Sequence, residues 1–255
     1  VRTLLLAAAC LPLALGAPSP PAGADDLTGA APSATAAGSR EAGSAEGDAG
    51  PAPEGCGEAV ARRVQAHYET VRNLSADFVQ TSTLASLGPA RQGEPGADSS
   101  RGEVVFAKPG RMRWHYREPA ESLVVSDGED LWTYDPDLGE AQHLPVGRGY
   151  LSGAAIQFLM GEGEILETFR VEAPDCEGQR VRLELVPREP ASYERLRLEV
   201  DRDSGQVVST EVADLFGNVT RVTFSNIRTN RNVDDEAFRF DPPEGTEVIE
   251  VTPAR

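Results

Sequence analysis

The sequence predicts a mainly β domain: an incomplete, unclosed antiparallel β-barrel of about ten or eleven strands, covered by an α-helical lid. Three observations lead there. Short runs alternating apolar and polar residues, punctuated by Gly, Pro, Asp and Asn turns, fill most of the chain after residue 74. Only two stretches carry a helical stripe, and each is apolar on one face alone. One sheet of that many strands must curl, and its concave apolar face needs a cover that only the two helical stretches can supply.

The N-terminal residues stand apart from that domain. Arg2 followed by the apolar run Leu4 to Leu15 reads as a secretory signal, with cleavage expected after Ala17 or Ala24, so residues 1–24 are assigned to it. Lipidation at Cys10 is the alternative. From Pro18 to Gly55 the chain is almost all Ala, Gly, Pro and Ser with scattered acids. That composition cannot bury enough apolar area to offset ordering, so residues 25–55 read as a disordered linker. Residues 56–255 form the folded domain. With Cys10 removed, Cys56 and Cys176 remain as an even pair in a chain bound for an oxidising compartment. A disulfide between them is expected, with two unpaired thiols as the alternative.

Within the domain, Val60, Val64, Tyr68, Val71 and Leu74 mark a helix over Glu58–Leu74. A strand over Ser75–Leu84 follows, with Ala76, Phe78 and Gln80 on one face, and then a Gly/Pro-rich loop over Gly88–Ser100. The stretch Gly102–Pro136 is the centre of the fold. Val104–Phe106 leads into the Lys108-Pro109-Gly110 turn. Arg111–Arg117 alternates strictly, with Met112, Trp114 and Tyr116 on one face and Arg111, Arg113, His115 and Arg117 on the other. Leu123–Val125 and Leu131–Tyr134 form a hairpin around Asp127-Gly128. A second helical region is expected over Pro145–Phe169, where Leu151, Ala154, Ala155, Phe158 and Leu159 share a face. Strands resume over 170–173, 180–186, 195–201, 206–213 and 219–227, and Phe238–Phe240 is expected as the last.

The composition removes several function classes. A net charge of −17 argues against a nucleic-acid partner, which requires a basic stripe. No apolar run reaches about 18 residues, so no membrane-spanning helix is expected. His67, His115 and His143 lack ligand spacing, no phosphate-binding loop precedes a helix, and Ser126 is not in a nucleophile elbow. No enzyme, no metal and no cofactor is expected. What remains is the bulky apolar face formed by Phe78, Met112, Trp114, Tyr116, Leu123 and Val125. On pattern alone it is either core beneath the lid or a cavity for an apolar ligand.

Four stretches, FAKPGRMRWHYREP, LVVSDGEDLWTYDPDL, FLMGEG and FRFDPPEGTEVI, together with Leu74–Gln80 after the first helix, resemble the LolA family of periplasmic lipoprotein carriers. The likeness runs from about Glu58 to Ile249. It implies an incomplete barrel whose cavity holds the acyl chains of lipoproteins, with Phe158 and Leu159 of the lid adding to the strand residues above. It implies carriage from the inner to the outer membrane, an inner-membrane ABC-type release complex as donor, an outer-membrane acceptor, and a monomer in the periplasm of a Gram-negative bacterium. A basic residue before the turn proline ties the family's barrel to lid carbonyls. Lys108 holds that place here, with the backbone carbonyls near Tyr68, Leu159 and Met160 as the expected acceptors of the latch. The family usually has Arg there, and Lys is a rotatable point donor rather than a planar fork. Two other roles for the same fold stay open: an outer-membrane receptor anchored through Cys10, and a lipoprotein-sensing regulator.

Overall fold

A computed structural model describes residues 55–85, 98–145 and 163–251. The expected signal and most of the linker, much of the Gly/Pro-rich loop and most of the second helical region lie outside the described residues. Helix α1 spans Cys56–Thr70. The strands that follow are β1 (Asn73–Thr83), β2 (Asp98–Ala107), β3 (Arg111–Glu118), β4 (Ser122–Ser126), β5 (Asp130–Asp135) and β6 (Glu140–Pro145). After a one-turn helix α2 (Ile165–Thr168) come β7 (Phe169–Glu172), β8 (Arg180–Pro187), β9 (Tyr193–Asp201), β10 (Val207–Asp214) and β11 (Val219–Thr229). A 3-10 turn (Asp235–Phe238) and β12 (Glu247–Glu250) complete the domain.

All twelve strands form one sheet in the order β12-β6-β5-β4-β3-β2-β1-β11-β10-β9-β8-β7. Among the described residues its two edges, β12 and β7, do not pair, so the sheet is open. Every neighbouring pair is antiparallel except β12 with β6, which run parallel. This corrects the expected end of the fold. Phe238–Phe240 is not a strand, because Asp234 caps the 3-10 turn by accepting the Glu236 N–H, and Phe238 packs beneath the Arg111 guanidinium, 5.0 Å from ring centroid to cation. The sheet gains β6 and β12 instead. The polar sequence of β6 hides it, since only Ala141 and Leu144 are buried along it.

Helix α1 is shorter than the apolar stripe suggests. Val71 and Leu74 continue the stripe and are buried, yet they are extended. Pairing to β2 begins at Asn73, opposite Ala107, and the Asn230 N–H also donates to the Asn73 carbonyl. The backbone is therefore claimed by the sheet before the stripe ends. Val60, Ala61, Val64 and Tyr68 form the buried face of α1. Burial of Val60 and Val64 alone contributes roughly 3–6 kcal/mol. Glu58 in the first turn complements the helix dipole.

The helix is fixed at both ends. Cys56 and Cys176 are disulfide-bonded, with Cα atoms 6.4 Å apart. At the other end only Val71 and Arg72 separate α1 from β1. Midway, Arg63 donates to the Arg202 carbonyl. Gly205 there lies so close to the helix that a Cβ on it would sit 2.5 Å from the Arg63 carbonyl oxygen, and its φ is +75°.

Candidate functional site

The register decides which side chains share the concave face. Directly opposed residues on antiparallel strands point to the same side. Trp114 is opposite Val104 on one neighbour and Val124 on the other, and Met112 is opposite Phe106. Phe78 and Tyr116 are both opposite Gly102, from the two strands that flank it. Beyond β1, Phe224 joins them opposite Phe78. On the far half, Leu196, Leu198 and Val200 meet Leu185, Leu183 and Val181. The inner face is thus apolar from Leu131 and Leu144 across to β8, and α1 lies against its β7–β8 side.

Leu123 and Val125 do not belong to that face, which corrects the expectation. They are opposite His115 and Arg113, on the outer side, and Val124 takes the inner position. They are still buried, because the outer side of β4 and β5 is covered as well. Leu123 and Val125 pair with Tyr134 and Trp132, and the Phe240 ring lies 5.2 Å and 5.7 Å from those two aromatic rings.

The other strand residues named from sequence converge. Phe78, Met112, Trp114 and Tyr116 are buried together. Phe78 meets Trp114 edge-on at 4.8 Å and Tyr116 at 5.0 Å, and Phe106 meets Trp114 at 5.5 Å. Gly102 makes this possible, since a Cβ there would fall 1.9 Å from the His115 carbonyl oxygen. The Tyr116 hydroxyl donates to Gln80 Oε1 at 3.0 Å, which accounts for a buried glutamine in an apolar face. The Trp114 indole N–H is buried with no hydrogen-bond partner among the described residues. Phe158, Leu159 and Met160 lie outside the described residues.

Between the C-terminal end of α1 and the sheet is a cleft lined by Tyr68, Val71, Leu74, Phe106, Val207 and Phe224. It holds about 20 Å³, room for one water and not for an acyl chain. Register and burial, rather than an alternation visible in the sequence, reveal Val104, Val124, Val207 and Phe224 as parts of this region.

Lys108 stands at the rim of this cleft. Its Nζ donates to the Tyr68 carbonyl at 2.6 Å, in the last turn of α1, where helix carbonyls lack partners. The Val71 N–H donates to the same oxygen at 3.3 Å. Burial lowers the Lys108 pKa, and the nearby Glu69 carboxylate acts against that. The Tyr68 side chain is buried and its hydroxyl accepts the Val207 N–H at 3.2 Å. Burial pushes its pKa well up, and that N–H opposes the shift. Tyr68 therefore joins the helix, the turn before β3 and the start of β10.

The histidines do not assemble a site. His67 is held below its ordinary pKa by burial, His115 pairs with Glu121, and His143 bridges Asp130 and Glu250 while stacked on Trp132 at 4.3 Å. No group of three or more metal-ligating side chains occurs among the described residues.

The family model described as "Outer membrane lipoprotein carrier protein LolA" matches residues 69–241. An outer-membrane lipoprotein carrier protein of Methylococcus capsulatus is 32% identical over 74% of this chain and 86% of its own. One from Halorhodospira halophila is 35% identical over 73% and 84%. Both are named carriers, not enzymes. Among solved structures, a LolA superfamily protein from Nitrosomonas europaea aligns at 12% identity with a TM-score of 0.39, over 72% of this chain and 97% of that one. The family match spans well over half of the chain, and the sequence relatives are matched along most of their length: the chain belongs to the LolA family of outer-membrane lipoprotein carriers.

Proposed function

We propose that this protein binds the acyl chains of lipoproteins against the inner face of its open sheet and carries them through the periplasm, from the inner to the outer membrane. The observation that carries the reading is the largely apolar inner face, roofed at one side by a helix whose last turn receives a polar contact from Lys108. Three chains of about sixteen carbons would cost roughly 30–40 kcal/mol to expose to water, at ~0.8 kcal/mol per CH₂. Cargo of that kind needs a cover that opens reversibly. Because the cleft holds about 20 Å³, binding requires the roof to yield rather than a chain to slide into open space. The aromatic cluster is then the floor that chains would meet, and the unspent Trp114 N–H is a donor for an ester carbonyl. Lys108 serves as the latch.

On this reading the chain performs no catalysis. Residues 1–24 direct export, residues 25–55 form a linker, and an inner-membrane release complex and an outer-membrane acceptor are the donor and recipient. The test is binding of a triacylated lipopeptide and of the same peptide without its acyl chains, by the full exported chain. The acylated form is expected to bind at one site and the deacylated form not at all. Equal binding of the two would reject acyl recognition.

A further inference from the structure

Next to the apolar cleft, and sharing its rim at Arg72, Asn73, Ala107 and Lys108, is an open polar basin of about 510 Å³. Four cations line it: Arg72, Lys108, Arg111 and Arg231. In a chain of net charge −17 such a concentration is out of character. The basin is also built. The Arg72 N–H donates to Asn230 Oδ1 at 2.7 Å, the Arg231 N–H to Asn73 Oδ1 at 2.9 Å, and Asn230 Nδ2 to the Thr70 carbonyl at 3.1 Å. Asparagine side chains thus cross-tie the backbone segments that carry the cations, and Asn230 adopts a φ of +55° to do so.

Donor capacity there is left over. The side chains of Arg72 and Arg231 are exposed and have no acidic partner among the described residues. Lys108 uses one of its three N–H groups on the Tyr68 carbonyl. Arg111 pairs with Asp235 and donates to the Lys108 carbonyl, while its Nε is buried without a partner. Two acids oppose the field, Asp235 at Arg111 and Glu69 beside Lys108. Two positive charges remain in excess, at the point where the apolar cleft opens.

We propose that this basin binds the anionic head of an amphiphile whose apolar chain enters the adjoining cleft. The preferred ligands therefore carry a carboxylate or phosphate within a few ångströms of an acyl chain. The inference rests on the carrier reading for the apolar half and adds to it a charge preference that acyl burial alone does not give. Forked guanidinium donors suit either oxyanion. Being open, the basin is screened by salt, so the preference is largest at low ionic strength.

The experiment uses the full exported chain and three probes: dansyl-labelled undecanoic acid, its uncharged methyl ester, and sodium phosphate as competitor. The acid is expected to bind about tenfold more tightly than the ester at low salt, and the gap to close near 1 M NaCl. Arg231→Glu alters an exposed side chain that lines the basin and not the cleft. It should bring the two affinities together while leaving ester binding as it was. Phosphate alone should displace the acid only weakly, because the chain supplies most of the affinity. Equal binding of acid and ester by the wild type would overturn the proposal and leave the carrier reading intact. So would a preference that survives both Arg231→Glu and high salt. Full displacement of the acid by phosphate would make the basin a free-anion site and overturn the amphiphile assignment. Failure of acid and ester alike would overturn both readings. The salt arm decides the matter on the wild type should Arg231→Glu not fold.

Discussion

Replacing Lys108 by Met isolates the latch. Met keeps an unbranched apolar stem and removes the ammonium, so what is lost is the 2.6 Å bond to the Tyr68 carbonyl and its charge. A hydrogen bond to a charged group contributes about 1.5–3 kcal/mol. Two features reduce that here. Lys108 is only half-buried, and the Tyr68 oxygen keeps the Val71 N–H as a donor, so no orphan carbonyl is created. The expected change is about 1–2 kcal/mol in the equilibrium between the seated and lifted C-terminal turn of α1, a factor of about 5–30. Because the disulfide still pins Cys56, the effect should be graded along the helix. Hydrogen exchange should quicken by that factor at Val64–Tyr68 and little near Ala59, with β8 and β9 unchanged. Uptake of an acylated probe should quicken in parallel. Unchanged protection of the last helical turn together with unchanged uptake would refute the latch. So would uniform loosening of the whole domain, which would mean that Lys108 is a general stabilising contact.

Three further outcomes are expected. Gly102→Ala should destabilise the fold by at least about 2 kcal/mol in urea unfolding, because the new methyl group would meet the His115 backbone rather than a yielding side chain; a loss below about 0.5 kcal/mol would contradict the register around Phe78 and Tyr116. Serine at both Cys56 and Cys176 should cost about 3–5 kcal/mol, since the bond closes a loop of 120 residues, and thiol labelling of the denatured unreduced protein should find neither cysteine reactive. His143 clasps β12 to β5 and β6: burial alone would lower its pKa, but hydrogen bonds and charge from Asp130 and Glu250 raise it on balance. The sign follows from a folded pKa above the unfolded one. The clasp is complete below about pH 6.5 and is lost as pH rises through the raised folded value. Protection factors at Glu247–Glu250 should therefore fall with rising pH, and His143→Gln should abolish that trend.

How much of this was legible in the sequence depends on the residue. Strict alternation in Arg111–Arg117 gave one possible assignment of faces, and Met112, Trp114 and Tyr116 are together. Leu123-Val124-Val125 has no alternation, so either parity fits it, and only pairing with β3 selects Val124 for the inner face. β12 escaped because a parallel edge strand of four exposed residues, Glu247–Glu250, has no hairpin turn to announce it. Phe238 and Phe240 look like strand residues, but the Asp234 cap turns the chain before them. The Lys108 contact with Tyr68 was approached only through the family resemblance, since nothing in periodicity says where a lysine tip lands. The basin was not legible at all. Arg72, Lys108, Arg111 and Arg231 are scattered over 160 residues, and only the meeting of β1, β2, β3 and the end of β11 brings them together.

The two tryptophans supply the most direct test of the central claim, that acyl chains lie against the inner face. Trp114 is buried on that face and Trp132 is on the outer one, stacked on His143, and the chain has no others. Trp132→Phe leaves Trp114 as the only indole emitter, and Trp114→Phe leaves Trp132. Each variant is titrated with a lipopeptide whose acyl chains carry bromine, a contact quencher. Saturable quenching of Trp114 fluorescence at one equivalent, with none of Trp132, is expected. Quenching of Trp132 alone, equal quenching of both, or bound lipopeptide that quenches neither would contradict it.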